Sequence, residues 1–476
     1  MASTRNRAYA RPGSRPAPAA RPNPAFERAL NAARSFHQTG RLHEAAGVCR
    51  QLLAIDRNNA AADYLLGIIE SDIGAFDTAI RRISRFIKGR PKDATAHCNL
   101  GITLTRQGRH MAKAVAACRK AVALRPDDPV LHFNLGNAYR QFGRTAEAMA
   151  SYRHAIELRP DFIKPLNNLA MLQLMSGQFE AGWRNYLMRP FMLHKTAGYW
   201  RAPLPPDIAG RHVLVDQEQG LGDEIFFLRF IPALRKRGVR VSYLPDPRLA
   251  GMLQRAGIVP LVDADMPPDQ FDLRLSAGDL PYVLGMTDGD PAPPTVTLAP
   301  LRDRIDALSR RLAAFGPPPW LGVTWRAGHD AGPGADMKRL KEAPLPALAG
   351  AIASADARVV ALQRNPADGE VAAFEAALGR PVLDLTGCND DLEDVLTLTG
   401  LLDDYVCVSN TNVHLRAARG RPSRVLVPNP PWVFTWMAEG SESPWFPGSR
   451  IYRQTARGDW SAALAALSRD LEAAWR

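Results

Sequence analysis

Glycine returns at a fixed interval through the first part of the chain. Gly40, Gly74, Gly108, Gly143 and Gly177 are spaced by 34, 34, 35 and 34 residues. Such a period constrains the architecture strongly, because a unit of this length is a helical hairpin that cannot bury its apolar face alone and must stack on its neighbours. A second ladder, Gly67, Gly101, Gly136 and Ala170, sets small residues where two helices can approach closely. Ala45, Ala79, Ala114 and Ala148 follow the first ladder, and Pro91, Pro126 and Pro160, unable to continue a helix, separate successive units. The one longer interval predicts an extra residue in the turn of the third unit.

The period and its punctuation resemble the tetratricopeptide repeat over residues 25–190, in about five units. The resemblance implies an α-helical solenoid that holds a protein or peptide. Asn99, Asn134 and Asn168 occupy the same place in successive units. They are expected to line a peptide groove and grip a bound backbone through two-sided amide hydrogen bonds. A similar asparagine ladder is known in the repeats of protein O-linked N-acetylglucosamine transferases; the alternative is that Asn is simply common at this position. The last unit carries Gly182 where the others have Ala, followed by the bulky Trp183, which predicts a cap packed on the following domain.

Charge argues against a nucleic-acid partner. The chain carries +12, but five arginines and no acids lie in residues 1–24, so the remainder carries only +7. That Pro- and Ala-rich stretch is predicted to be a disordered basic arm, able to touch an acidic partner or a membrane surface. There is no apolar run of 18 residues, so no membrane span is expected. The basic N-terminus is not followed by an apolar core, so a secretory signal is not expected either. Cys49, Cys98, Cys118, Cys388 and Cys407 are odd in number and form no C-x-x-C pair. They fit a reduced, cytoplasmic protein in which Cys98, Cys118 and Cys407 act as small buried hydrophobes.

From His212 the pattern changes. Val213–Val215 and Val239–Tyr243 are predicted strands, with helices over 223–237 and near 246–256. The pattern loosens after 260 and ends in a polar helix at 302–313. After Pro317-Pro318-Pro319, strands are predicted at Leu321–Trp325, Val359–Leu362, Val382–Leu385, Tyr405–Val408 and Val425–Val427, with helices between most of them. This alternation predicts two Rossmann-like α/β lobes, residues 211–315 and 316–476, joined to the repeats by a linker over 191–210 and separated by a cleft.

The string Glu218-Gln219-Gly220-Leu221-Gly222-Asp223, with Phe226-Phe227-Leu228-Arg229-Phe230 behind it, opens the first lobe. The second carries Leu362-Gln363-Arg364-Asn365-Pro366, Val408-Ser409-Asn410-Thr411-Asn412-Val413-His414-Leu415, Ser443-Pro444-Trp445-Phe446-Pro447, Tyr452-Arg453-Gln454 and Gly458-Asp459-Trp460. Together these resemble bacterial tetratricopeptide-repeat glycosyltransferases related to the heptosyltransferases, which have the GT-B fold.

The resemblance implies an inverting, metal-independent transfer of a sugar from a nucleotide sugar to an acceptor, with no cofactor. The expected acceptor is a protein held by the repeats, flagellin-type surface proteins being one class. Asp223 matches the acid that serves as base, and Lys341 a cation directed at the donor phosphates. Arg326, Ser409, Asn410, Thr411, Asn412 and His414 are further candidates for the donor. Many relatives carry Asp-Thr at Ser409-Asn410, which leaves open what replaces that acid here. Glu218, Gln219, Gly220 and Gly222 are placed on the acceptor side. Asp263-Ala264-Asp265 and Asp288-Gly289-Asp290 are read as solvated turns, and no His/Cys cluster has zinc spacing. Two other readings are a repeat scaffold whose α/β half no longer catalyses, and an enzyme with a glycan acceptor whose repeats serve assembly.

Overall fold

The computed structural model describes residues 24–192, 198–327 and 341–475. The predicted basic arm, apart from Pro24, lies outside the described residues. The chain forms two compact units that divide after Leu169, inside the helix Ile163–Met175.

The first unit contains four helical hairpins: Pro24–Gln38 with Leu42–Ile55, Ala60–Ile73 with Phe76–Gly89, Ala94–Gln107 with Met111–Leu124, and Pro129–Gln141 with Thr145–Leu158. The turn glycines Gly40, Gly74, Gly108 and Gly143 have φ between +77° and +96°, a region that side chains disfavour. The next helix begins two residues after Gly40, Gly74 and Gly143 but three after Gly108, so the extra residue lies in the third turn as the spacing predicts. The second ladder marks close approach between the helices of a hairpin. A Cβ on Gly136 would lie 2.5 Å from the Tyr152 ring, and one on Gly101 would overlap Cys118 Sγ. Side chains of Asn59, Asp93 and Asp128 cap three of the helices by accepting from backbone N–H groups. One acid links three successive units: Asp72 lies 2.6 Å from His37 Nε2 and 2.7 Å from Arg106 Nη1.

Most of the last hairpin, Ile163–Met175 with Phe179–Tyr186, belongs to the second unit. Trp183 is buried there, with its ring against Phe434 at 5.2 Å, Phe227 at 6.0 Å and Trp445 at 6.1 Å. Phe179 meets Trp445 at 5.3 Å, and the Ala438 amide donates to the Met175 carbonyl. The final repeat is therefore part of the α/β body, and the structural boundary falls before the sequence boundary at 190.

Two parallel sheets follow. The first has β1 (His212–Asp216), β2 (Arg240–Leu244) and β3 (Leu273–Ser276) in the order β2-β1-β3. The second has β4 (Trp320–Thr324), β5 (Arg358–Ala361), β6 (Val382–Asp384), β7 (Asp404–Val408), β8 (Arg424–Val427) and β9 (Arg450–Arg453) in the order β6-β5-β4-β7-β8-β9. That is the doubly wound order 3-2-1-4-5-6, whose direction reverses between β4 and β7. The central runs Leu321, Val323, Val359, Ala361, Val406 and Val408 are buried, as parallel strands covered on both faces require.

Sequence periodicity missed β3 and β9. Each is four residues long at the edge of its sheet, and arginines interrupt the apolar pattern: Arg274 in β3, Arg450 and Arg453 in β9. The helix Arg302–Phe315, expected to end the first lobe, packs on Leu392–Leu401 of the second. Its Arg304 pairs with Asp391 and Asp394 at 3.0 and 2.9 Å. Its surface is mostly polar, and Leu308 and Leu312 are its buried residues.

Replacing Trp183 by Ala should remove about 3–5 kcal/mol from the stability of the second unit through cavity formation. Urea unfolding resolved by hydrogen exchange should show the loss in the α/β body, with protection in residues 42–124 unchanged.

Candidate functional site

β1 ends in Asp216, and the chain turns through Gly220, at φ +89°, into the helix Leu221–Phe227. This turn mounts Asp223 in the first helical turn. The helix abuts Thr411–Ala418, which follows β7 in the second lobe. Contact is closest at Gly222, where an added Cβ would lie 3.1 Å from His414 Cδ2. Asp223 thus comes beside the point where the second sheet reverses direction, the place where doubly wound sheets bind ligands.

A cavity of about 260 Å³ opens there. The second lobe supplies Thr324 and Arg326 at the end of β4, Arg364 after β5, Asn389 and Asp390 after β6, and Asn410, Thr411 and Asn412 after β7. Leu221 and Arg248 come from the first lobe. Asn410 caps its helix by accepting from Val413 N, and Asn412 Nδ2 donates to the Tyr405 hydroxyl and Asn389 Oδ1.

The Asp223 carboxylate meets solvent on one side but is otherwise closely surrounded by protein. Its desolvation, together with the charge of Glu218, pushes its pKa up to about 7 against the pull of Lys341 and Arg189. Lys341, held where the Ala327 amide donates to its carbonyl, is shifted below the ordinary lysine range by burial and partly restored by Asp223. A carboxylate titrating near neutrality beside a partly desolvated lysine can accept a proton and stabilise an anion.

The structure separates the other sequence candidates by what already occupies them. Asn410, Thr411, Asn412 and Arg326 lie on the cavity wall. Arg326 is also ion-paired, its Nη2 2.6 Å from Glu370 and donating to the Asn365 carbonyl. Ser409 is turned away from the cavity, accepting from Trp436 Nε1 at 2.7 Å. His414 is packed against Gly222, Phe226 and Phe446, and burial pushes its pKa down to about 3. It is a neutral wedge between helices rather than a cavity-wall contact.

Glu218, expected on the acceptor side, is buried in an ion pair. Arg189 Nη2 approaches it at 2.6 Å while Nη1 bonds Asp279, and Ser276 Oγ and Gly278 N also donate to Glu218. This charge is committed to the fold, because breaking such a pair would strand an ion in the interior. Gln219 and Gly220 remain exposed at the turn.

The asparagine ladder is likewise turned inward. Asn99 Nδ2 donates to the Tyr64 hydroxyl, Asn134 Nδ2 to the Val130 carbonyl, and Asn168 Nδ2 to Asn137 Oδ1. Asn99 and Asn134 are 1% and 7% exposed and Asn168 is half-buried. The Asn99 and Asn168 amides join neighbouring helices, while that of Asn134 donates back within its own helix.

Arg248, Arg364, Asn389 and Asp390 were not identified from sequence. Arg364 falls on the loop after β5, Asn389 and Asp390 on the short turn Thr386–Asp390, and Arg248 in the predicted helix after β2, which the packing of Pro247–Ala256 against Leu392–Leu401 brings to the cavity. Among the described residues no three His, Cys, Asp or Glu side chains cluster as a metal site. Asp288 and Asp290 accept backbone hydrogen bonds from Glu180 and Thr287.

Residues 92–161 match the tetratricopeptide repeat family. The chain is 23% identical over 501 aligned positions to Protein FlbA of Caulobacter vibrioides, covering 91% of this chain and 81% of that one. It is 25% identical over 162 positions to the human Protein O-mannosyl-transferase TMTC1, covering 33% of this chain and only 18% of that protein. Similar solved structures include a thermophilic tetratricopeptide-repeat protein of Thermus thermophilus, 20% identical with a TM-score of 0.31, covering 34% of this chain and 88% of that chain. MamA of Desulfovibrio magneticus is 21% identical with a TM-score of 0.29, covering 31% and 84%. The N-terminal part is a tetratricopeptide-repeat solenoid, a protein-interaction architecture, and an α/β region with parallel sheets follows it. No helix among the described residues is long and apolar enough to cross a membrane.

Asp223→Asn should stabilise the protein progressively as pH rises. A carboxyl whose folded pKa is raised contributes most below its unfolded pKa, near 3.8, and loses that contribution as pH climbs through about 7. The melting-temperature advantage of the Asn variant should be larger at pH 8 than at pH 5. An equal advantage at both would contradict the assignment.

Proposed function

We propose that the chain is an inverting glycosyltransferase of the GT-B kind, taking a sugar from a nucleotide sugar and passing it to an acceptor hydroxyl. The observation that carries this reading is the placement of Asp223, titrating near 7, beside a cavity at the switch point of a doubly wound sheet. A general base works best with a pKa near the operating pH. In the reaction, Asp223 removes the acceptor O–H proton as the oxygen forms a bond to the anomeric carbon from the face opposite the leaving group. The bond from that carbon to the diphosphate oxygen breaks, and the nucleoside diphosphate departs with the electron pair.

Lys341 supplies positive charge near the reacting centre, while Arg326 and the Asn410–Asn412 segment receive the donor. This scheme needs no metal to neutralise the leaving group. The name of the human relative as an O-mannosyl-transferase accords with sugar transfer, over the short stretch the two share.

A protein acceptor follows from the solenoid, since such repeats commonly bind proteins. One observation favours a second reading in which the repeats serve assembly and the acceptor is a glycan: the amides of Asn99, Asn134 and Asn168 are already engaged inside the stack. Single Asn→Ala variants that remain folded decide this. Impaired transfer to protein, with transfer to a small hydroxyl acceptor unchanged, would support recognition through the repeats. Unimpaired transfer to protein would reject a role for this ladder in acceptor recognition.

Asp223→Asn should lower kcat by about 10²–10⁴-fold while nucleoside diphosphate affinity stays within twofold. Wild-type kcat/KM should rise with pH through about 7 as Asp223 loses its proton. Turnover by the Asn variant at the wild-type rate would remove Asp223 from the mechanism.

A further inference from the structure

Arg248 stands apart from the other charged groups of the cavity because it comes from the opposite lobe. It lies near the start of the helix Pro247–Ala256, after β2. Its guanidinium is held in one plane by Asp246, with Nε 2.9 Å from Oδ1 and Nη2 2.7 Å from Oδ2. Nη1 is left without a carboxylate among the described residues. Asp246 is fixed in turn, because its amide donates to Glu224 Oε1 at 3.0 Å. Glu224 is buried and adjacent to Asp223 in the same helix. Arg248 and the proposed base therefore ride on one rigid part of the first lobe.

The helix carrying Arg248 is seated on the second lobe. Arg255 Nη2 lies 2.6 Å from Glu393, in the helix Leu392–Leu401. That helix contributes Leu392 and Val395 to the same cavity wall. Arg364, contributed by the loop after β5, has no carboxylate partner among the described residues and is exposed. Arg326 completes a set of three guanidinium groups, although its charge is offset by Glu370. The amide groups at the start of Thr411–Ala418 add a further preference for an anion at this end of the sheet.

We propose that Arg248 and Arg364 form a two-lobed clamp on the diphosphate of a nucleoside diphosphate, so that the leaving group joins the lobe bearing Asp223 to the lobe bearing the donor pocket. A planar guanidinium with its Nε–Nη2 edge pinned and Nη1 left to donate is suited to a phosphate oxygen that arrives on the open edge. The clamp rests on the glycosyltransferase reading above, which supplies the ligand class. Within that reading it adds a donor contact from the acceptor-side lobe.

Isothermal titration of the full chain with UDP, GDP, ADP and CDP, and with the matching nucleosides, tests both layers. If one diphosphate binds the wild type, Arg248→Ala should weaken it at least about tenfold and leave nucleoside affinity within twofold. Arg248→Lys should recover only part of the loss, because an ammonium lacks the planar fork. Asp246→Asn, which loosens the guanidinium without removing it, should weaken the diphosphate by a smaller factor. Arg248 is exposed, so its Ala variant should melt with the wild type. A diphosphate that binds Arg248→Ala as tightly as wild type would overturn the clamp and leave the wider reading intact. A wild type that binds none of the four diphosphates would overturn the reading and the clamp together.

Discussion

The approach of Gly222 to His414 sets the geometry of the α/β body. Two helices, one following β1 and the other β7, meet with so little room that a Cβ at position 222 would press on the imidazole. Glycine permits that approach, and His414, buried and neutral, fills the space without bringing a charge. Phe226 and Phe446 close around the same ring. The position of Asp223 is inherited from this contact. It lies one residue beyond the close approach and two beyond Leu221, which lines the cavity.

Charge is treated in two ways around this point. Some acids are tied into the fold, as when Arg189 spans Glu218 and Asp279 while Ser276 and the Gly278 amide also donate to Glu218. Asp223 has no hydrogen-bond partner of this kind among the described residues. The nearby Glu218 charge and the surrounding protein hold it away from its ordinary pKa. A carboxylate shifted in this way and open to solvent is the kind of group that perturbed titration marks as a candidate site.

Much of this was legible in the sequence because it depends on local rules. Positive-φ turns need glycine, close helix pairs need small residues, and both recur with the repeat. Buried parallel strands are continuous apolar runs, so the central strands of both sheets stand out. β3 and β9 do not, because short edge strands can carry arginine toward the rim. The glycine turn identified Asp223, but it also drew in Glu218, whose role depends on Arg189, 29 residues earlier. The asparagine ladder was visible as a pattern, while the direction of its amides was set by Tyr64, Val130 and Asn137. Arg248 was silent because its importance arises only when helices from separate lobes pack.

The last hairpin carries a consequence for how such a chain can change over generations. Through Trp183, Phe179 and Met175 it is built into the α/β body, whereas the preceding hairpins are joined by contacts that repeat from one unit to the next. Duplication or loss of one whole hairpin would therefore alter the length of the solenoid by a fixed step and leave the surroundings of Asp223 intact. Repeat number and the α/β body can vary as separate inheritances.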